Sequence, residues 1–525
     1  MMTETWGPRF MAFFESMLTL MLVALIALQP SRRLGIPYPT MLAIAGVLVA
    51  MLPWAPGISI DPALALALFI APALFDAAYD LPPRTLKQNW IPLISLAGIA
   101  VILTAAAVAW VGVAYAGLPI AAAIALGAIV APPDAAAATA MLGRFNLPRR
   151  AFTVLKGESL LNDAVALLIF GAAVAAASGT VSAVELVPQL ALAAPGGIVL
   201  GILLGYVYMR IGPRLAGTLG GSLFEFVATF GVWVIAERLH LSAVLTMVAF
   251  AMVIARDMPD RISARNRIRS YSIWEAAIFM LNVLAFLLMG MQARTTVLQL
   301  YQQDVGFAIS FAVLVFLTVV LVRIVWLLLS NRVIYYLHAA GIYKASAPTL
   351  SMSLVGSWCG MRGLVTLATA LALPEGFPSR DLIVFSALTV VLGTLIVQGL
   401  TLGPLIRLLK LERDDSMKND IDSARLALID AALEELESMQ DSKAATTLRG
   451  LYRGDRELAT QGLNPREAGE VDALKRQVIQ AKRTKLAAMR RSGTIDDDVF
   501  HVLEEELDWA ELGASHPGRF EVVEG

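Results

Sequence analysis

The chain has 525 residues, 58% of them hydrophobic and 16% charged, against roughly 25% charged in an average soluble domain. A mean hydropathy of +0.69 sets it apart from soluble proteins, and a formal net charge of -1 argues against a nucleic-acid footprint. One cysteine, Cys359, excludes a disulfide framework within the chain, and the scattered His240, His338, His501 and His516 make no His-Glu-x-x-His zinc pattern.

A window of about 20 residues finds about 13 apolar spans. They lie near 12–30, 37–54, 62–80, 91–116, 119–142, 152–178, 186–211, 222–238, 241–256, 273–293, 305–331, 348–373 and 382–408. The short pair around Arg238 is open to being read as one long helix. The start, Met-Met-Thr-Glu-Thr-Trp, lacks a basic n-region, and no Ala-x-Ala cleavage site follows, so the first run is expected to be a retained span. One set of alternate connections carries Arg32/Arg33, Arg84/Lys87, Arg144/Arg149/Arg150, Arg210/Arg214, Arg256 through Arg269, Arg332/Lys344 and Arg407/Lys410. The other set carries little beyond Arg9, Arg238, Arg294 and Arg380. The positive-inside rule places the first set in the cytoplasm, with the N-terminus outside and the C-terminus inside.

Three spans carry residues that are costly in a bilayer. Span 5 is broken near its centre by Ala131-Pro132-Pro133-Asp134, because two prolines remove two backbone donors. Span 6 holds Gly157-Glu158-Ser159-Leu160-Leu161-Asn162-Asp163-Ala164. A central Asp costs roughly 2.5–3.5 kcal/mol on insertion scales, so such groups mark function. Residues four apart share a helix face, which pairs Ser159 with Asp163 and Glu158 with Asn162 on a neighbouring face. Span 12 is interrupted by Ser357-Trp358-Cys359-Gly360-Met361-Arg362-Gly363.

Broken helices survive in a membrane only where protein or a watery cavity satisfies the backbone. Spans 5 and 12 are the fifth members of spans 1–6 and 8–13, with span 7 as a linker. Matching breaks mark an inverted-repeat transporter, although no residue-level repeat is visible. The predicted fold is therefore all-α and polytopic, with inverted six-helix repeats and two crossing broken helices. Asp134 is placed to offset the positive half-helix N-termini at the crossing, and Arg362 the negative C-termini. After residue 408 the chain turns highly charged, giving a transmembrane domain at 1–408 and a cytosolic helical tail at 409–525. The tail has an apolar stripe at Leu426, Ile429, Leu433 and Leu436, and Thr494 with Asp497 is expected to cap a helix through Val499, Leu503 and Leu507.

Gly157 to Ala164, the Pro132-Pro133-Asp134 break and Trp358-Cys359-Gly360-Met361-Arg362-Gly363 resemble the NhaP-type sodium/proton antiporters. These are the bacterial and archaeal branch of the first monovalent cation:proton antiporter family. The likeness covers roughly residues 15–408, including Trp274-Glu275 and Phe286 to Met291. It implies that Asp163 is the essential ion- and proton-binding carboxylate, with Asp134, the hydroxyl of Ser159, the backbone carbonyl of Pro133 and Asp76 as further ligands of the cation. It also implies a scaffold ion pair between Glu158 and Arg323; the supporting role of Arg362 rests on its place in the break of span 12. Asn162 matches the neutral member of an Asn-Asp pair that marks electroneutral exchange. Asp80, one turn beyond Asp76, reads as a solvated end residue. The chain departs from many relatives in having Pro133-Asp134-Ala135 where they have Thr-Asp-Pro, so a threonine hydroxyl is absent. Asp76 is also one methylene shorter than the Glu common at its position.

The resemblance implies a secondary transporter and not an enzyme: an electroneutral sodium/proton antiporter of the bacterial inner membrane, a homodimer serving pH homeostasis. Potassium/proton exchange is the alternative. No cofactor is expected beyond the transported sodium ion and proton, and the expected partners are monovalent cations, protons and the lipid bilayer. A membrane hydrolase would need a nucleophile with a base or a metal centre, and Ser159 has no membrane histidine near it in sequence. A sensor would have no need of paired broken helices.

Overall fold

The computed structural model describes residues 6–514 apart from 35, 54–60, 82, 135–137, 140–141, 143–147, 179–182, 216–217, 259–260, 300–303, 343–347, 412–415, 441, 461–464, 493 and 495–496. Among these residues every regular element is a helix. The chain divides into two compact units, Met1–Arg413 and Asp414–Glu524.

The first unit begins with α1 (Trp6–Leu34), α2 (Tyr38–Ala50), α3 (62–79) and α4 (Trp90–Ala116). Next come α5 (Ile120–Val130 up to its break), α6 (Arg149–Ser178), α7 (Ala183–Leu215), α8 (Leu219–Arg238) and α9 (Ala243–Asp257). It ends with α10 (Ala264–Gln299), α11 (Val305–Ala339), α12 (Leu350–Trp358 and Leu364–Leu371) and α13 (Arg380–Leu409). These helices overlap the expected spans, with α5 and α12 broken inside theirs. Eight helices among the described residues are long and apolar enough to cross a membrane, and the other segments are shorter or broken.

The pair around Arg238 is two helices. His240 takes a left-handed conformation (φ 54°) between them, and the Ser242 hydroxyl accepts the Leu245 N–H to start α9. Thr218, Asp304 and Thr349 cap α8, α11 and α12 in the same way.

The sides of α11 show how the sequence suits both protein and lipid. Phe311, Val315, Val319, Arg323 and Leu327 recur at the four-residue spacing of one helix face and are buried. Leu317, Leu321, Val325 and Leu329 recur likewise on another face and are exposed. A helix that is apolar all round belongs in a membrane; the exception, Arg323, lies on the inward face.

Packing is closest where α2 meets α10. A Cβ on Gly290 would lie 2.9 Å from the Gly46 Cα, so the two backbones touch and neither position has room for a side chain. Elsewhere α8 is tied to α10 by Glu225, whose carboxylate accepts from Ser270 Oγ (2.7 Å) and Trp274 Nε1 (3.0 Å). Trp274 is also ringed by Phe75 of α3 and Phe226 of α8.

The second unit contains α14 (Ser416–Ser438), α15 (Lys443–Thr460), α16 (Pro465–Arg491) and α17 (Asp497–Ala514). The stripe of α14 is turned inward: Leu426, Ile429 and Leu433 are half-buried and Leu436 is buried. Arg449 of α15 donates to the Leu436 carbonyl (2.7 Å) and so covers the C-terminal end of α14, while Arg456 pairs with Asp430 at 2.6 Å. Arg483 of α16 reaches Asp508 and Glu511 of α17. The Thr494 hydroxyl bonds Ser492 (2.7 Å), and the two residues between Thr494 and α17 lie outside the described residues.

Candidate functional site

The two interrupted helices meet at their breaks. α5 stops at Val130 because Pro132 and Pro133 supply no N–H, which leaves the last carbonyls of the helix without internal partners. Arg362, in the break of α12, fills that need. Its Nε donates to the Val130 carbonyl (3.1 Å) and its Nη2 to the Ala131 carbonyl (3.2 Å). Its Nη1 donates to the carbonyl of Gly360, and its backbone N–H to the Thr394 hydroxyl of α13 (3.0 Å). A guanidinium that is 1% exposed thus serves three carbonyls.

Asp134 belongs to the other end of the dipole argument. Its backbone N–H donates to the Met361 carbonyl (2.7 Å), and its carboxylate packs onto Gly363, the residue before the second half of α12. A Cβ on Gly363 would overlap that carboxylate, so close approach to the half-helix N-terminus requires glycine here. The negative charge therefore sits where the half-helix presents its unpaired N–H groups.

α6 brings the remaining groups to the crossing. Asn162, fully buried, donates from Nδ2 to the Pro133 carbonyl (2.9 Å), while its Oδ1 meets no hydrogen-bond donor. Asp163 is 6% exposed, and the charge that bears on it is that of Asp134. Ser159, one turn earlier, is half-buried. On the neighbouring face, Glu158 accepts from Arg323 through both oxygens, at 2.5 and 3.0 Å, with both residues buried. Arg323 Nη2 also reaches the Gly356 carbonyl (3.2 Å), which fastens α11 to the first half of α12.

The structure therefore gathers Asp163, Asp134, Asn162, Pro133 and Arg362 at one crossing, with Glu158 and Arg323 beside it. Asp76 is exposed on α3, and the charges acting on it are those of Asp80, Lys156 and Glu275. The Pro133 carbonyl, expected to face the cation, already accepts a hydrogen bond from Asn162; its second lone pair is what remains for an ion.

Sequence reasoning missed Thr394, a lone hydroxyl in an apolar run whose role depends on a distant break. It also missed Lys156, which Asp80 holds at 3.3 Å. A lysine one residue before Gly157 was a visible signal.

A family model, sodium/hydrogen exchanger, transmembrane, matches residues 18–408. The chain belongs to the sodium/hydrogen exchanger family. It is 29% identical to an uncharacterized Na+/H+ exchanger of Mycobacterium tuberculosis over 501 residues, covering 91% of this chain and 92% of that one. It is also 29% identical over 514 residues to the sodium, potassium, lithium and rubidium/H+ antiporter of Bacillus pumilus, covering 91% and 74% of the two chains. Its fold is similar to that of the sodium proton antiporter MjNhaP1 from Methanocaldococcus jannaschii, with a TM-score of 0.60 and 18% identity over 77% of this chain and 99% of that one. For this exchanger, Arg323, Arg362 and the two breaks all lie within the residues that the family model matches.

Proposed function

We propose that this exchanger performs electroneutral antiport of one sodium ion for one proton across the bacterial inner membrane, serving cation and pH homeostasis. The observation that carries the reading is Asp163: a buried carboxylate beside two interrupted helices, with a second carboxylate, Asp134, acting on it. Two like charges in a dry site favour a positive species between them, either a proton or a metal cation.

Competition for that position supplies the mechanism. A hard monovalent cation takes several oxygens, and a carboxylate serves as a ligand only when ionised. Proton loading and cation loading of Asp163 therefore exclude each other. Asp134, the Ser159 hydroxyl and the free lone pair of Pro133 complete the oxygen set, and Asp76 is a ligand candidate on the approach. If the site changes sides only when loaded, one cation moves for one proton. Asn162 adds no charge to the cycle, and its hydrogen bond to Pro133 holds α6 against the break of α5. The pair of Glu158 and Arg323 is scaffold. The loop charges support an N-terminus outside, a C-terminus in the cytoplasm and a working homodimer is the assembly we propose with it.

Potassium/proton exchange is the second reading. The name of the Bacillus pumilus relative includes potassium, lithium and rubidium beside sodium. Proteoliposomes holding a pH dye separate the two: sodium pulses are expected to move protons at lower concentration than potassium pulses. Exchange driven by potassium alone would select the second reading, and no cation-driven proton movement would overturn both.

A further inference from the structure

Lys156 occupies a position that the ligand set leaves unexplained. It precedes Asp163 by seven residues (163 − 156) on the same face of α6, about 10 Å along the helix axis. Its ammonium lies 3.3 Å from the Asp80 carboxylate at the end of α3, and both side chains are about half exposed. Asp76, one turn back along α3, feels Asp80, Lys156 and Glu275 together. Arg150 lies in the first turn of the same helix, and Arg84 and Lys87 follow α3, so the cluster sits at the basic ends of both helices.

We propose that Lys156 is a tethered competitor of the transported cation, setting the apparent affinity at the membrane face that carries Arg150. The inference rests on the antiport reading above. Asp76, Asp80 and Glu275 are three exposed carboxylates, Asp80 and Glu275 both acting on Asp76, and grouped carboxylates attract cations from solution. Without a counter-charge they would hold a cation before it reached Asp163. The lysine ammonium, attached by a four-carbon stem, occupies the field of these acids and leaves the deeper carboxylate to bind the cargo. Lys156 is thus a positioning and specificity residue on the approach, and the hydrated, half-exposed pair contributes little to stability.

The test uses the full-length protein in proteoliposomes, with the cation presented from one face or the other. Lys156→Gln is expected to lower the KM for sodium at the face carrying Arg150 by about threefold or more, with the KM at the opposite face unchanged. Lys156→Arg should keep wild-type values, and adding Asp80→Asn to Lys156→Gln should return the KM toward wild type. An unchanged KM, or an equal change at both faces, overturns the inference. If Lys156→Gln melts, Asp80→Asn alone decides: it loosens the ammonium and removes one acid, so KM at this face should rise, and a constant KM overturns the proposal. A wild-type protein that exchanges nothing would instead refute the antiport reading.

Discussion

Glu158 and Asp163 are two carboxylates of one helix in opposite circumstances. Glu158 is matched by the guanidinium of Arg323, whereas the charge bearing on Asp163 has its own sign. The first arrangement holds structure together, and the second invites a mobile positive charge. Asp163→Asn is therefore expected to abolish cation-driven proton movement in vesicles while the protein still folds and inserts; substantial exchange by this variant at any pH would remove Asp163 from the shared site. Arg323→Ala leaves a charged Glu158 in a dry interior, where breaking a buried pair costs about 3–5 kcal/mol. Thermal melting in detergent should drop sharply, with recovery when Glu158→Gln is added, and the cation KM of the folded fraction should change little. The acids were legible in the sequence because each is costly in an apolar span. Their grouping was less so: that Asp76 shares its surroundings with Asp80, Lys156 and Glu275 depends on the packing of three helices, which spacing along one helix does not reveal.

At the scale of elements, both breaks were legible from the consecutive Pro132-Pro133, which remove two backbone donors, and from Gly360 with Gly363 flanking a charged residue in an apolar span. What crossed what was not. The donation from Asn162 to Pro133 and the contact of Asp134 with Gly363 join residues far apart in sequence, and no local pattern encodes them. The division between α8 and α9, by contrast, was read from the sequence as two short spans, and the left-handed His240 lies between them. Gly363 yields a prediction of its own. Gly363→Ala places a methyl group where the Asp134 carboxylate lies, so the acid must leave the half-helix N-terminus. Exchange should fall at least about tenfold, the factor set by a loss of 1.4 kcal/mol, while membrane insertion is retained. Near wild-type transport by this variant would show that Asp134 has no need of that contact.

For the molecule as a whole, the alternation of Lys and Arg along the loops and the abrupt change of composition near residue 409 were readable because they depend on composition alone. The packing of the second unit was less readable: Arg449 on the end of α14 is a contact made across a turn. Stoichiometry is the property that only the complete cycle can display. With Asn162 neutral, one positive charge should travel each way, so a potential imposed across the vesicle should leave rate and final gradient nearly unchanged. Each uncompensated charge would otherwise contribute about 2.3 kcal/mol per 100 mV. A gradient that follows the imposed potential, or transient current on a solid-supported membrane, would make the cycle electrogenic.

Arg362 sets a limit on how such a molecule can move. One side chain from α12 grips the terminal carbonyls of α5 while its backbone is held by α13. Sliding one broken helix along the other would strip several charge-assisted bonds at once in a place where water is scarce. These bonds oppose shear within the crossing. In the antiport cycle proposed above, exposing Asp163 first to one side of the membrane and then to the other with these bonds intact carries α5, α12 and α13 together, as a single body turning about surfaces that lie elsewhere.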